Sequence, residues 1–488
     1  MNTYLAIDLG AGSGRIMAVR SVGETIELDQ VCRFDSPAIE QEGSLFWDIH
    51  LIWTEITRGL KQAAQTYGST IRSIGVDSWG VDYAWFDSAG ELSKLPYCYR
   101  DARTHGSVDE VAGLLGRDAI FEETGIQFMA INSLYQIVDD LKKGLLSGRF
   151  LMIADMINYW LTGRQVCERT NASTTQLYNP RTQAWSKVLV EGIGLPTSTL
   201  PPLVAPGETL GPLQPKVAAE TGLANTPVIA VGSHDTASAV AGVPASTDSF
   251  AYLSCGTWAL LGTEVAEPII TDTALDHNFT NETGVEGTYR LLKNITGLWI
   301  LQECRRVWQD EDKRAISYDE LTEFTAHAAP FTAFIDPDDI IFSHHGNLPE
   351  MIQEYCQSSG QSMPITRGQI ARIAMESLAL KVASILEQLE FLLGRPLNVL
   401  HVIGGGVQNR FLMQCIANAT QRRVIAGPTE ATALGNALVQ MIANSEVASL
   451  RDGRARLAKA IDTTAYEPSE SWDNARQRFR SLLAKNTP

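Results

Sequence analysis

The 488-residue chain has no apolar run approaching the roughly 18 consecutive residues of a membrane span. Its first residues, MNTYLAID, lack the basic stretch and apolar core of a secretion signal. Positive charge is scarce: 39 lysines and arginines face 56 acidic residues, for a net charge of −17. Non-specific nucleic-acid binding needs a basic face that releases counterions, so it is excluded. An anionic membrane surface is equally unsuited. The seven cysteines (32, 98, 167, 255, 304, 356 and 415) form no C-x-x-C pair. That scatter argues for reduced thiols rather than a disulfide frame or a zinc site. The tripeptides starting at Asn171, Asn278 and Asn294 match the glycosylation sequon, and without a signal they read as chance. These absences predict a cytoplasmic protein with small-molecule partners and no nucleic acid or membrane, as a monomer or small homo-oligomer.

What is present is ordinary globular material, 44% hydrophobic and 19% charged, enough for roughly two to four domains. Any anionic ligand must be held by local groups or a metal ion, because the net field opposes it. YLAIDL, RIMAVRS and TIELDQVCRF alternate as strands. Residues 48 to 66 carry helical spacing, with Asp48 placed as cap. Residues 71 to 87 read as strand, tight turn, strand, and TPVIAVGSHDTASAV (226–240) as a buried strand, polar turn and small-residue helix. A second hairpin follows in SFAYLSCGTWALLG (249–262). Residues 397 to 420 read as strand, glycine turn, helix, and GPTEATALGNALVQMIA (427–443) as another small-residue helix. Two hairpin-led α/β halves suggest duplicated architecture. The expected domains are 1–244, 245–451 and a closing helix or tail at 452–488.

The loop DLGAGSGR (8–15) raises the central question. A Walker phosphate loop needs a lysine after the glycines, and none follows. A dinucleotide fold needs a helix opening on the glycines, but RIMAVRS alternates like a strand. The third reading is a β-hairpin whose N–H groups cradle terminal phosphates, with Asp8 serving a magnesium ion through water. A plain glycine turn is the alternative. The second hairpin at Ser254-Cys255-Gly256-Thr257 favours a two-hairpin phosphate clamp.

With these blocks in order, the sequence resembles the FGGY carbohydrate kinases over nearly its whole length. The match is carried by DLGAGSGR, SIGVDSWGVD (73–82), YRDART (99–104), TGIQF (124–128), SHDTASAV (233–240), YLSCGTWAL (252–260), LKNITGLWILQ (292–302) and GGGVQN (404–409). The resemblance implies an α/β protein of two ribonuclease-H-like domains, of the actin, hexokinase and Hsp70 superfamily, with ATP in an interdomain cleft. It also implies Mg²⁺-assisted phosphate transfer to the 1-hydroxyl of a ketose. In one departure, the corresponding loop usually carries a hydroxyl residue where this chain has Gly12.

Residue by residue, the resemblance implies that Asp235 is the base taking the sugar hydroxyl's proton. Asp is also a favoured helix cap, and that role stays open beside it. Gly80, His234, Asp235, Thr236 and Asn294 are the implied sugar contacts, though Gly80 could be a simple turn. Ala11, Gly12, Ser13, Gly14, Arg15, Thr257, Gln302, Gly404, Gly405 and Gly406 are the implied ATP contacts. Asp8 is the expected metal residue. Trp79 is expected in the core, and Asp77 and Asp82 have no assigned role. A nucleotide-gated binding protein of the Hsp70 type remains the alternative class. It would need a further domain after residue 443.

Overall fold

The first strand, β1 (Asn2–Leu9), is buried at every position but the first, and its apolar residues Tyr4, Leu5, Ala6, Ile7 and Leu9 are fully buried. Burial on both faces suits the centre of a mixed sheet, each large side chain contributing about 1.5–3 kcal/mol. In the computed structural model, which describes residues 1–247, 249–342 and 344–486, β1 turns back through a hairpin into β2 (Ser13–Val22) and β3 (Thr25–Asp35). α1 (Ile49–Tyr67) then crosses over, its start capped by Asp48, which accepts from the Leu51 N–H at 3.0 Å. It returns the chain to β4 (Ile71–Ser78), parallel to β1. β5 (Thr209–Pro212) and β6 (Pro227–Ile229) complete a six-stranded sheet of order β5-β6-β4-β1-β2-β3. The seven cysteines are free and buried, and Asn171 is fully buried.

The expected hairpin at 71–87 is not one. Tyr83–Phe86 leaves β4 and pairs with Arg149–Met152 in a separate two-stranded sheet. The turn between them therefore closes no hairpin on β4; the Trp79 N–H instead donates to the Leu9 carbonyl of β1 at 3.1 Å.

α2 (Asp235–Ala241) follows β6. The second hairpin is β7 (Ala251–Cys255) and β8 (Trp258–Val265). Next come β9 (Thr280–Thr283), β10 (Tyr289–Thr296) and α3 (Trp299–Asp312). The long α4 (Arg367–Leu393), closed at its start by a Thr366/Gln369 capping box, precedes β11 (Val399–Ile403) and α5 (Arg410–Thr420). β7 is parallel to β11, which is parallel to β12 (Arg423–Ala426). The tail is more than a closing helix. After α6 (Ala431–Ala443) and α7 (Leu450–Ala460), β13 (Thr464–Tyr466) adds to β12 antiparallel, and α8 (Asp473–Asn486) follows. Residues 487 and 488 of the expected tail lie outside the described residues.

Two compact units result, and neither is continuous in sequence. The first takes 1–246, 264–291 and 431–461; the second takes 247–263, 292–430 and 462 onward. The expected division near 244 marks one crossing of the chain, and four further crossings come later. α6 shows why. Its small residues let it press against α2 inside the first unit, where a Cβ on Gly435 would lie 1.7 Å from the Ser238 carbonyl oxygen. Leu434, Leu438, Val439 and Met441 bury against Tyr4, Ile229 and Val231.

Candidate functional site

In the first unit three carboxylates gather because three neighbouring parallel strands end on the same edge, where open α/β sheets bind ligands. Asp8 on β1 lies opposite Asp77 on β4. Past β6 the chain keeps its parallel course, so Ser78 bridges His234 and donates its N–H to the Ser233 carbonyl at 2.9 Å. Asp235 comes next. The cap of α2 is His234, with no side-chain capping bond, so Asp235 does not serve as the cap. Its side chain is 31% exposed and accepts the Thr236 hydroxyl at 3.1 Å. Loss of solvent around it pushes its carboxyl up; His234 opposes that rise and the charge of Asp8 adds to it.

Asp77 is fully buried and takes one bond, from Asn436 Nδ2 at 2.5 Å on Oδ2, while Oδ1 has no partner among the described residues. Burial pushes its carboxyl well above the carboxylate range, and the nearby charge of Asp8 pushes the same way. Asp8 is paired with Arg15, its cross-strand neighbour. Arg15 Nε and Nη2 both bond Asp8 Oδ2, at 2.8 and 2.7 Å. The expected metal residue and an expected ATP contact therefore hold each other. In the loop between them, the Gly10 N–H closes the turn on the Ser13 carbonyl at 3.1 Å. The built Cβ of Gly12 meets no atom within 4 Å, so this position is open.

His234 stands in a charged pocket. Its Nδ1 lies 3.1 Å from Glu282 Oε2 on β9 and 3.2 Å from Arg290 Nη2, while Nε2 faces Asp235 Oδ1 at 3.5 Å. Arg290 is fully buried and lies 3.0 Å from the same Glu282 oxygen. Burial alone would push the Glu282 carboxyl up, but Arg290 and His234 together hold it below its ordinary value. Nothing in the sequence singled out Glu282 or Arg290: they sit on adjacent strands, and only the fold brings them to the histidine.

The Gly80 turn is built from a different network. A Cβ on Gly80 would meet Thr174 at 2.9 Å, so packing against Thr174 already requires a glycine. Val81 is a β-branched residue at φ +67°, a strain of about 1–3 kcal/mol. It is held there by Thr174 Oγ1 on its N–H at 3.0 Å and by Ser133 Oγ on its carbonyl at 2.5 Å. Asp82 gains a structural role: it accepts the indole N–H of Trp47 at 2.7 Å and of Trp79 at 3.0 Å, the Tyr99 N–H, and Gln136. Its burial raises its carboxyl to about 6. Trp79 packs against Trp47 with ring centres 4.4 Å apart and planes tilted by 44°, in the core as expected.

In the second unit the second hairpin and α3 meet. The Thr257 hydroxyl donates to Gln302 Oε1 at 3.0 Å, which joins two expected ATP contacts directly. The Gly256 N–H is spent inside the turn on the Trp258 carbonyl at 2.9 Å, so it is no free donor. The loop N–H groups of Gly297, Leu298 and Trp299 fix the Gly256 and Thr257 carbonyls. The glycine run packs on the same hairpin: Gly404 has φ +86°, and a Cβ on Gly406 would lie 2.4 Å from Cys255 Sγ. Nothing lies within 4 Å of a Cβ on Gly405. Asn294 sits half-buried near the end of β10.

Among the described residues no three His, Cys, Asp or Glu side chains gather around one point that could hold a metal ion. Mg²⁺ needs no such cage, because it keeps most of its water and takes one or two carboxylates. The strand-end carboxylates, with Asp77 Oδ1 unpartnered, fit an ion held that way. No helix among the described residues is long and apolar enough to cross a membrane.

Each unit thus carries a glycine-containing hairpin, and strand-end carboxylates lie beside the first. The chain belongs to the FGGY family of carbohydrate kinases: the model of that family's N-terminal domain matches residues 3–242, and that of its C-terminal domain matches residues 251–444. It is therefore a carbohydrate kinase, which phosphorylates a sugar using ATP. It is 42% identical to a rhamnulokinase of Bacteroides thetaiotaomicron, over 98% of this chain and 99% of that protein. It is 37% identical to a rhamnulokinase of Enterococcus faecalis, over 99% and 98%. Among solved structures it resembles a ligand-bound xylulose kinase from Lactobacillus acidophilus, with a TM-score of 0.81 and 16% identity over 99% of this chain and 97% of that one. Plasmodium falciparum glycerol kinase with ADP is similar at a TM-score of 0.79, with 18% identity over 99% and 97%. These likenesses give the fold.

Proposed function

We propose that the chain transfers the γ-phosphate of ATP to the 1-hydroxyl of L-rhamnulose, giving L-rhamnulose 1-phosphate and ADP. The substrate is supported by the full-length similarity to rhamnulokinases. The chemistry is carried by one observation: Asp235 is the partly exposed carboxylate at the strand-end edge, two residues after a clamped serine.

A sugar hydroxyl is a weak nucleophile near neutral pH. Asp235, ionised, accepts its proton as the oxygen attacks the γ-phosphorus; the new O–P bond forms while the bond to the β-phosphate oxygen breaks and ADP leaves. His234, held by Glu282 and Arg290, and Thr236 present hydrogen-bonding groups to the ketose, with Gly80 and Asn294 as further contacts. Ala11, Gly12, Ser13, Gly14 and Arg15 take terminal phosphates. Thr257, Gln302 and Gly404 to Gly406 serve the nucleotide. Asp8, with Asp77 beside it, would hold magnesium through its water, and a bound ion would neutralise phosphate charge.

The test is ADP release across a ketose panel, with the product identified by mass and phosphorus NMR. Turnover on L-rhamnulose that exceeds L-fuculose, D-xylulose and glycerol supports the assignment. Fast turnover on another sugar with none on L-rhamnulose refutes it.

A further inference from the structure

Glu168 closes a short strand, Cys167–Glu168, and is fully buried. Its Oε1 accepts the Thr170 N–H at 2.8 Å. Its Oε2 accepts the Ser233 N–H at 2.9 Å, the Ser233 hydroxyl at 2.8 Å and the Thr170 hydroxyl. Thr170 Oγ1 in turn accepts the His234 N–H at 3.1 Å. Each carboxylate oxygen therefore faces one backbone N–H, a donor that cannot become an acceptor. An amide offers one oxygen and one NH₂, so in either orientation its NH₂ would confront a backbone N–H. A carboxyl group, with an acceptor on both oxygens, satisfies this site and an amide does not.

The bonds fall on the residues just before Asp235. Ser233 is gripped at its N–H and hydroxyl by Glu168 and at its carbonyl by the Ser78 N–H. α2 has no side-chain cap of its own to fix its start.

We propose that Glu168 is the positioning residue for the catalytic loop: it sets Ser233 and His234 in register and through them aims the Asp235 carboxylate at the sugar hydroxyl. This rests on Asp235 being the base. Glu168 need not touch substrate. Its loss should appear in the rate of transfer and leave nucleotide binding in place, because the Thr257 and Gln302 pair is built from other elements.

The test compares Glu168→Gln with Glu446→Gln in the full-length enzyme, using ATP and L-rhamnulose (or the ketose that the parent turns over). Glu446 is a similar hub, accepting from Asn2, Tyr4, Ser21 and Arg456 at the opposite end of β1. Misplacing a reacting group by about 1 Å costs about 10²-fold in rate. Glu168→Gln should therefore lose about that in kcat, with the KM for ATP within about threefold of the parent. Glu446→Gln should lower the melting midpoint and keep the parental kcat. A Glu168→Gln kcat within about threefold of the parent overturns the assignment, as does a matching loss of kcat in both variants. If Glu168→Gln fails to fold, Ser233→Ala keeps the backbone bond and removes the hydroxyl. It should lower kcat severalfold at constant KM for ATP, and a parental kcat overturns the proposal. Asp235→Asn run alongside separates the two ideas. A parental rate there removes the base itself, whereas an inactive Asp235→Asn beside a fully active Glu168→Gln removes only the positioning role.

Discussion

Replacing Gly435 with alanine sets two effects of opposite sign against each other. In an exposed helix the change stabilises by about 1 kcal/mol, because alanine is the better helix former. Here the added Cβ would lie 1.7 Å from the Ser238 carbonyl oxygen and 2.6 Å from the Gly242 nitrogen, where ordinary contact begins at 3.4 Å. Both obstacles are backbone, so no side chain can swing aside; α2 and α6 must part until the first separation doubles. Overpacking of this kind costs about 1–3 kcal/mol and sometimes more. A rigid backbone obstacle puts it at the upper end, so the net change is a loss of about 2 kcal/mol after the helix-propensity gain. At about 2–4 °C per kcal/mol for a unit of this size, the melting midpoint should fall by about 4–8 °C. Because α2 begins with Asp235, the shift also misplaces the base, and kcat should fall by about 10²-fold. Differential scanning fluorimetry and a coupled ADP-release assay read the two quantities. A variant with a raised midpoint and the parental rate would refute the reasoning, because helix propensity alone predicts that result.

Gly12→Ser adds a hydroxyl in open space. It should leave the melting midpoint unchanged and lower the KM for ATP; an unchanged or higher KM would show that this side of the loop does not meet phosphate. The pH profile of kcat/KM should fall on the acid side as Asp235 takes up a proton. Because its surroundings raise its carboxyl, that loss should begin at a higher pH than the ordinary Asp value of about 3.9 implies. An acid inflection at or below that value contradicts the assignment.

Much of the fold was legible because the signals are local. Alternation marked β1 to β3, Asp48 announced α1, and the two glycine hairpins stood out at their turns. The discontinuous units were not legible. That α6 joins the first unit depends on Gly435 meeting Ser238 across a gap that no periodicity shows. The turn after β4 looked like a hairpin because its flanks alternate, yet Tyr83–Phe86 finds its partner at Arg149–Met152, far along the chain. The site divides in the same way. Asp8, His234 and Asp235 sit in motifs that can be read. Glu168, Glu282 and Arg290 carry no motif; they are charged residues whose meaning comes from burial beside a loop that lies elsewhere in sequence. Asp77 and Asp82 share one turn, and only the structure separates a strand-end carboxylate from an anchor for two tryptophans.

The central claim is that Asp235 takes the proton from the sugar hydroxyl. Its most direct test is single-turnover transfer of labelled γ-phosphate to L-rhamnulose by Asp235→Asn, with ATP binding measured in parallel. The account predicts ATP affinity near the parent's and a transfer rate lower by about 10²–10⁴-fold, the usual contribution of a general base. Transfer at the parental rate by a folded, ATP-binding Asp235→Asn enzyme would contradict it.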